Sequence, residues 1–432
     1  MRVVAFLPAK GSSNRVENKN LRLLDGKPLF LHTLEKLVAC DFVDQVYLDT
    51  ESEEMIDLAS HTGCQVLRRD PALATNKTDG HQLFFNEVRQ VEADIYIQIL
   101  CTSPFIDTET IRRGIGLLAD TSEFDSIVLV RREKQYTWGA TGPNYPIAHI
   151  PNSADLPDTV LETMGLYIMR ADAAKRLRRR IGDHPFQLEA TPLEALDVNW
   201  PEDLDLANLV AAGLRERDRK LLANIRNQLT SSLLSDLLDD AGYRQQVIPN
   251  LGPNIPGSRV LGRAKTLRLR LLREGEDFRG IYRALDSYKT IVPNDIIVVE
   301  NEAAEYAYFG ELNANLAQRS GASGAVIGGM TRDSQDVTRI GFPVFARGTS
   351  CADVRKRATV DTINRPICVF GVSIQPGDLV FADEEGVVVV PRAVERRVIG
   401  EALAQAVKER RLLLDVSAGI DVDELTKRYG FF

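Results

Sequence analysis

The chain has 432 residues, is 44% hydrophobic and 26% charged, and carries a formal net charge of −8. That length predicts two or three domains, and the composition is that of a globular protein able to bury large cores. The excess charge is uneven, with 26 Lys/Arg against 34 Asp/Glu over residues 1–220 and 27 against 27 over 221–432. An acidic first half argues against nucleic acid as a main partner and requires that an anionic nucleotide be met by local cations and a metal.

No run approaches 18 uninterrupted apolar residues, so no membrane span is expected. Arg2 is followed by only five apolar residues before Pro8, which read as a strand and not as a signal peptide. Cys40, Cys64, Cys101, Cys351 and Cys368 form no CxxC pair, which argues against a disulfide framework or zinc knuckle and for a reducing cytoplasm.

In chain order, Val3–Leu7 reads as a short buried strand. It leads into a Gly/Ser turn with two lysines nine residues apart, Lys10 and Lys19. Further strands are predicted over Phe42–Leu48, Gln65–Leu67, Asp94–Leu100 and Ser126–Val130, with an acidic helix start at Glu51–Glu54 that suits the helix dipole. This alternation predicts an α/β fold, a doubly wound, mostly parallel sheet with its ligand site at the carboxyl ends of the strands. A cationic, amide-rich loop at the end of the first strand is where such a sheet takes a phosphorylated ligand; a plain surface turn is the alternative. The basic cluster Lys175–Arg180 reads as a solvated helix face, with a dimer contact as the alternative.

The charged run from Ala211 to Lys220 predicts a boundary between domains 1–218 and 221–432. Beyond it, Leu221–Ala241 reads as one amphipathic helix closed by Gly242. Strands are expected after Val292 and over Gly324–Asp333, and a helix over Gly310–Gly321. A hairpin is expected over Pro376–Pro391, turning at Asp383–Gly386, with a long helix after it.

The string Pro8-Ala-Lys-Gly-Ser-Ser-x-x-x-x-Asn-Lys-Asn20, followed by Leu24-x-Gly26-Lys27-Pro28-Leu29, resembles the signature of the sugar-acid cytidylyltransferases, the CMP-sialate and CMP-Kdo synthetase family. The resemblance implies that Ala9, Lys10, Gly11, Ser12, Ser13, Lys19, Asn20 and Arg69 bind CTP. In it, Lys10 and Lys19 act in catalysis by offsetting triphosphate charge. The loop Asp49-Thr50-Glu51 corresponds to the family's acidic loop after the second strand. Thr102 and Ser103, in Leu100-Cys-Thr-Ser-Pro104, and Tyr167, in Glu162-Thr-Met-Gly-Leu-Tyr167, fall on the sugar side. Leu100 departs from the Gln of sialate-activating members. Leu196-Asp197-Val-Asn199-Trp-Pro-Glu-Asp203 resembles the family's metal stretch, which makes Asp197 the ligand of Mg²⁺ (or Mn²⁺). Asn199 replaces a carboxylate there, and Asp203 has the alternative of capping a helix.

Residues 225–410 resemble the class II pyruvate aldolases of the 4-hydroxy-4-methyl-2-oxoglutarate aldolase/RraA-like family. The residues that carry this include Phe309-Gly310-Glu311-Leu312, Gly321-x-x-Gly324, Arg332-Asp333, Gly341-x-Pro343-Val344-Phe345 and Pro376-Gly377-Asp378. The resemblance implies Arg332 and Glu311 as catalytic residues, Gly310, Leu312 and Arg332 as the keto-acid set, and Asp333 as the metal ligand. Gly328-Gly329 departs from the usual Asp-Gly, and an Arg-Asp pair capping a helix is the alternative. An enolate needs a cation where its charge develops, which Arg332 and a metal would supply.

Together these imply a cytoplasmic, bifunctional, homo-oligomeric enzyme. Its partners would be CTP, a 2-keto-3-deoxy sugar acid, and pyruvate or another 2-keto acid. A non-catalytic, oligomer-forming second half and a ribonuclease regulator are the other readings.

Overall fold

The apolar run after Arg2 becomes β1 (Val3–Pro8), and β1 organises the first half of the chain. The computed structural model describes residues 1–12, 16–75 and 77–430 and divides into two units, Met1–Ala211 and Ala212–Phe432. No helix among the described residues is long and apolar enough to cross a membrane.

The other strands of the main sheet of the first unit are β2 (Gln45–Thr50), β3 (Gln65–Arg68), β4 (Ile95–Ile99), β5 (Ser126–Glu133), β6 (Thr159–Arg170) and β7 (Pro185–Glu189). They form one sheet in the order 3-2-1-4-6-5-7. All pairings are parallel except those of β6, which runs against both β4 and β5. The helices are α1 (Leu29–Val38), α2 (Glu53–Ala59), α3 (Gly80–Val88), α4 (Thr108–Asp120) and α5 (Ala171–Leu177). Side-chain alternation along β1 decides which helix covers which face. Val3, Ala5 and Leu7 pack with α1, α2 and α4, whereas Val4 and Phe6 pack with α3 and α5. The sheet is therefore doubly wound, as expected, with one antiparallel strand that the alternation rule did not foresee. Its order reverses between β1 and β4, which leaves a crevice at their carboxyl ends.

The charged run from Ala211 to Lys220, expected to hold the domain boundary, is helical, within α6 (Pro201–Arg226). Leu204, Ala207 and Ala211 bury in a cluster of the first unit, and Leu222 and Ile225 in one of the second. The single helix expected over Leu221–Ala241 is interrupted. Its second part is α7 (Ser231–Asp240), started by Thr230, whose hydroxyl accepts from the Leu233 N–H at 3.2 Å.

The second unit is built on β8 (Val260–Leu271), β9 (Asp295–Asn301), β10 (Ala307–Phe309), α8 (Glu311–Ser320), β11 (Gly324–Gly328), β12 (Met330–Thr331), α9 (Ser334–Arg339), β13 (Val344–Ala346) and β14 (Gly348–Thr349). These are followed by β15 (Ala358–Ile363), β16 (Leu379–Ala382), β17 (Val387–Val390), α10 (Arg392–Ser417) and α11 (Val422–Tyr429). Strands β8, β9, β11 and β13 run parallel, and β16 and β15 pair with β8 antiparallel. The β16–β17 hairpin has the expected turn, with the Asp383 N–H on the Gly386 carbonyl at 3.1 Å.

The strand expected over Gly324–Asp333 is two strands in two sheets. It breaks at Gly328-Gly329, where a Cβ on Gly329 would lie 2.8 Å from the Ala304 carbonyl oxygen and one on Gly328 2.8 Å from that of Val299. Past this break β12 joins β10 and β14 in a small parallel ladder.

His32 of α1 tests the packing of the first unit. Its Nε2 lies 2.7 Å from the Leu24 carbonyl. Burial, then the Lys27 charge, pulls its pKa from 6.5 down to about 4. A base with a depressed folded pKa stays neutral in the fold while the unfolded chain takes up a proton, so stability falls as pH drops from about 6.5 to about 4. The loss is about 3 kcal/mol at full effect. Trp138 and Trp200, the two tryptophans, both belong to the first unit, so their fluorescence reports its unfolding. We expect His32→Gln to flatten the fall in unfolding midpoint across that window; an unchanged slope would assign the loss to other groups.

Candidate active sites

The crevice between β1 and β4 is closed by a chain of short contacts among segments far apart in sequence. The loop after β1 begins with Ala9, whose N–H donates to the Asp49 carbonyl at 2.9 Å. The Gly11 N–H donates to Glu51 Oε1 at 2.8 Å. A Cβ on Gly11 would fall 2.9 Å from that of Ser52, so the close approach of the loop to the β2–α2 connection requires glycine. Ser12 follows, and Ser13 lies outside the described residues.

Asn20 is buried, donating through Nδ2 to the Lys10 carbonyl at 2.9 Å and accepting from the Cys101 thiol at 3.2 Å. Both ends of the amide therefore pin the loop to the turn after β4. Lys19 Nζ donates to the Val198 carbonyl at 2.8 Å, and the Val198 N–H to the Thr102 carbonyl at 2.8 Å. Ser103 Oγ donates to Asp197 Oδ1 at 3.4 Å, and Asn199 Nδ2 to Asp197 Oδ2 at 2.5 Å. Lys10, Lys19, Asn20, Thr102, Ser103 and Asp197 thus converge at one end of the sheet. Burial pushes the Cys101 thiol up to about 12, with Lys19 and Arg69 opposing and Asp197 adding to the shift.

Asp203 does what its alternative reading required. Its Oδ2 accepts from the Asn199 and Trp200 N–H groups at 2.9 and 2.8 Å, closing the start of α6. Tyr167 stands on β6, its hydroxyl donating to the Glu162 carboxylate. Burial, then this bond, raises its pKa, and Asp197 adds to the rise while Arg180 opposes it. Gly165 makes room for the turn, since a Cβ there would meet Ser103 Oγ at 2.5 Å.

Arg69 was expected to meet a nucleotide directly, and its guanidinium is already engaged. Nε and Nη2 donate to the two carboxylate oxygens of Asp49 at 3.1 and 2.8 Å, with both side chains almost wholly buried. Glu87, fully buried, lies against the same pair and accepts from Gln98 Nε2 at 2.6 Å. Burial, then the Asp49 charge, raises the Glu87 pKa well above its ordinary value. Sequence reading missed Glu87 and Gln98. The signal was a polar residue in the apolar strand Ile95–Ile99 and another among the core positions of α3.

In the second unit the ladder of β10, β12 and β14 carries three connections to one place. The Arg332 N–H donates to the Phe309 carbonyl at 2.9 Å, and the Ser350 N–H to that of Thr331 at 2.9 Å. Asp333 adopts the left-handed conformation, φ 53°, just before α9. Its Oδ2 accepts from the Glu311 N–H, the first of α8, at 3.3 Å and lies 3.5 Å from Arg332 Nε. Gly310 is required there, because a Cβ would meet Asp333 Oδ2 at 2.5 Å. The second partner of Arg332 is Asp353, paired with Nη1, which sequence reading did not single out. Leu312 is exposed on α8 beside Glu311. Gly310, Glu311, Arg332 and Asp333 are thus brought together as expected.

Among the described residues no three His, Cys, Asp or Glu side chains cluster as metal ligands. At each site the candidate ligand is one carboxylate with oxygen-bearing neighbours, Asp197 beside Ser103 and Asn199 and Asp333 beside Glu311, with Asp353 on the far side of Arg332. That fits Mg²⁺ or Mn²⁺ when phosphate or substrate oxygens complete the shell.

The first unit is thus a doubly wound α/β unit with a cationic loop at its topological switch point, and the second an α/β unit with an Arg-Asp corner at the end of a parallel ladder. Residues 4–137 match the cytidylyltransferase family and residues 231–389 the aldolase/RraA family described as RraA-like. The chain belongs to the RraA-like family through its second unit, and its first unit resembles the cytidylyltransferases over the residues matched.

A protein of Halalkalibacterium halodurans, named provisionally as a 4-hydroxy-4-methyl-2-oxoglutarate aldolase, is 30% identical over 175 residues, 40% of this chain and 78% of that protein. The CMP-N,N'-diacetyllegionaminic acid synthase of Legionella pneumophila is 34% identical over 123 residues, 27% of this chain and 53% of the synthase. Protein DlpA of the same organism is 26% identical over 213 residues, 48% of this chain. The chain spans about a third (34%) of the length of DlpA and about half (53%) of the synthase.

The buried pair yields a direct test. Arg69→Ala would leave Asp49 charged and unpaired in the core, and we expect the first unit to lose about 3–5 kcal/mol of stability. A variant that keeps its denaturant midpoint would show that Arg69 is not a structural support.

Proposed function

We propose that the first unit transfers a cytidylyl group from CTP to the anomeric hydroxyl of a 2-keto-3-deoxy sugar acid, and that the second performs aldol or retro-aldol chemistry on pyruvate or another 2-keto acid. In the first reaction a hydroxyl oxygen forms a bond to the α-phosphorus, the bond from that phosphorus to the bridging oxygen breaks, and pyrophosphate leaves. The observation that carries this reading is the convergence of Lys19, Ser103 and Asp197 with the Lys10-Gly11 loop at the β1–β4 crevice. Such a site works by positioning and by neutralising charge on the triphosphate. Lys10 and Lys19 hold the phosphates, the Gly11-Ser12 backbone lets the chain approach them, and Thr102 and Ser103 line the sugar side. Asp197 would hold Mg²⁺ or Mn²⁺, which when bound lowers the charge on the triphosphate.

In the second unit Arg332 would place its cation at the oxygen of the developing enolate. Glu311 would orient the water that moves the proton. Gly310 and Leu312 would border the keto acid, and Asp333 would hold the divalent ion. The two reactions share a metabolite class, because adding pyruvate to a sugar aldehyde yields a 2-keto-3-deoxy acid that the first unit can activate, or the aldolase can degrade its surplus.

A second reading makes the RraA-like unit a non-catalytic centre of oligomer assembly. It is favoured by the engagement of the Arg332 guanidinium with Asp333 and Asp353.

Two outcomes decide these points. With CTP, Mg²⁺ and a panel of 2-keto-3-deoxy sugar acids, the protein should release pyrophosphate, and Lys19→Ala should slow it about 10²–10³-fold. Silence with every acid, together with tight binding of another nucleotide, refutes the transferase. Arg332→Ala should abolish pyruvate formation and leave assembly intact; if it changes no keto-acid reaction, the scaffold reading stands.

A further inference from the structure

The Arg332 guanidinium is met from two sides by carboxylates of the chain itself. Asp333 Oδ2 stands 3.5 Å from Nε, and Asp353 is paired with Nη1. Asp333 is a sequence neighbour, whereas Asp353 comes from the segment after β14. Arg332 is 40% exposed and Asp353 35%, so the pair is open to an incoming molecule and is not a sealed core contact.

Asp353 is held in place through its backbone. The Ala307 N–H donates to the Ala352 carbonyl at 2.8 Å and the Val354 N–H to the Ala307 carbonyl at 3.0 Å, so the chain is bound to β10 on both sides of Asp353. Val354 is buried. The Arg355 N–H donates to Asp353 Oδ1 at 2.5 Å, and Arg357 Nη1 to the Asp353 carbonyl at 2.6 Å. One carboxylate oxygen is thus fixed by the turn, and the other faces Arg332. The strand that anchors Asp353 is the one that leads into Gly310-Glu311, so both acids share one support.

The charge at this corner is accordingly negative. Glu311, Asp333 and Asp353 all meet there around the single guanidinium of Arg332. The cations that follow Asp353 are turned to aromatic faces. The Arg355 guanidinium lies 5.0 Å and Lys356 Nζ 5.6 Å from the Phe278 centroid, and the Arg357 guanidinium 4.2 Å from that of Tyr306. A guanidinium offers its N–H donors in one fixed plane. With Nη1 given to Asp353, Arg332 can serve one incoming carboxylate. A second would have to displace an acid that the backbone does not release, or lie beside it at like charge.

Resting on the aldolase reading above, we propose that Asp353 is a specificity-determining residue. It restricts the second unit to 2-keto acids with a single carboxylate, the class that holds the 2-keto-3-deoxy sugar acids, and disfavours those with another carboxylate on C4. In either class the C3–C4 bond breaks and its electron pair stays on C3 as the enolate of pyruvate. The C4 hydroxyl loses its proton as C4 becomes a carbonyl, and a proton returns to C3. Asp353 takes no part in these steps and acts, through Arg332, on which acid is held.

The test uses the full-length protein with Mg²⁺ and reads pyruvate release. It compares 2-keto-3-deoxy sugar acids with 4-hydroxy-4-methyl-2-oxoglutarate, which carries its second carboxylate on C4. The wild type should show a kcat/KM at least about tenfold higher for the best sugar acid. Asp353→Asn removes the charge while its amide oxygen can still accept from Nη1. It should lower KM for the diacid about tenfold and change KM for the sugar acid by less than about threefold. Asp353→Ala should shift the preference in the same direction, and Asp353→Glu should keep it. In the wild type, raising the salt from about 0.05 to about 0.5 M should narrow the preference, because charges this exposed are screened. A wild type that prefers the diacid, a preference indifferent to salt, or variants at 353 that circular dichroism shows to be folded and that keep the wild-type preference overturn the assignment alone. A wild type that forms pyruvate from none of these acids overturns the aldolase reading and the assignment with it.

Discussion

The amine of Lys19 on the carbonyl of Val198 joins residues 179 positions apart in sequence, and the first site depends on that closure. Around it, the Val198 N–H reaches the Thr102 carbonyl, Ser103 reaches Asp197, and Asn20 bridges the loop to Cys101. None of these bonds alone is worth more than about 1–3 kcal/mol. Their value lies in holding three separate connections at the spacing a triphosphate and a sugar require. The parallel strands β1 and β4 make this possible, because each delivers its following loop to the same edge of the sheet.

Behind the loop lies a second constraint with a different energetic character. Asp49, Arg69 and Glu87 are ionisable groups buried in one place, where an unpaired charge would cost several kcal/mol. The cluster balances by pairing Asp49 with Arg69, while burial and the Asp49 charge push the Glu87 pKa up. It also fixes the loop from beneath, since the Asp49 carbonyl accepts from both Ala9 N–H and Arg69 Nη2. Arg69 therefore serves the site through the loop it supports.

The RraA-like unit solves a similar problem with shorter elements. Three strands of two or three residues, β10, β12 and β14, deliver Gly310-Glu311, Arg332-Asp333 and the segment to Asp353 to one corner. Glycines at 310 and 329 permit the close approaches there, each being a position where a Cβ would meet another atom within 2.8 Å. The departure at Gly328 has a local physical counterpart, since a Cβ would also fall 3.1 Å from the Val369 side chain. A branched acid there would require the neighbouring chain to move.

Much of this was legible in the linear chain. Hydrophobic periodicity located β1, β4, the β16–β17 hairpin and α8, because a buried strand or a helix face leaves its period in the residue order. The motif residues Lys10, Lys19, Ser103 and Asp197 come together at the crevice, and Arg332 and Asp333 at the corner. What local pattern could not give was set by distance. The direction of β6, the division of Gly324–Asp333 between two sheets, and the continuation of α6 through a charged run each depend on what packs alongside. The same holds for individual side chains. An arginine in the sequence is a cation of unknown address. Only tertiary packing gave Arg69 to Asp49, Arg332 to Asp353 and Arg180 to the face of Tyr167, because the partner of a buried charge is chosen by whichever opposite group or aromatic face the fold brings within a few ångströms.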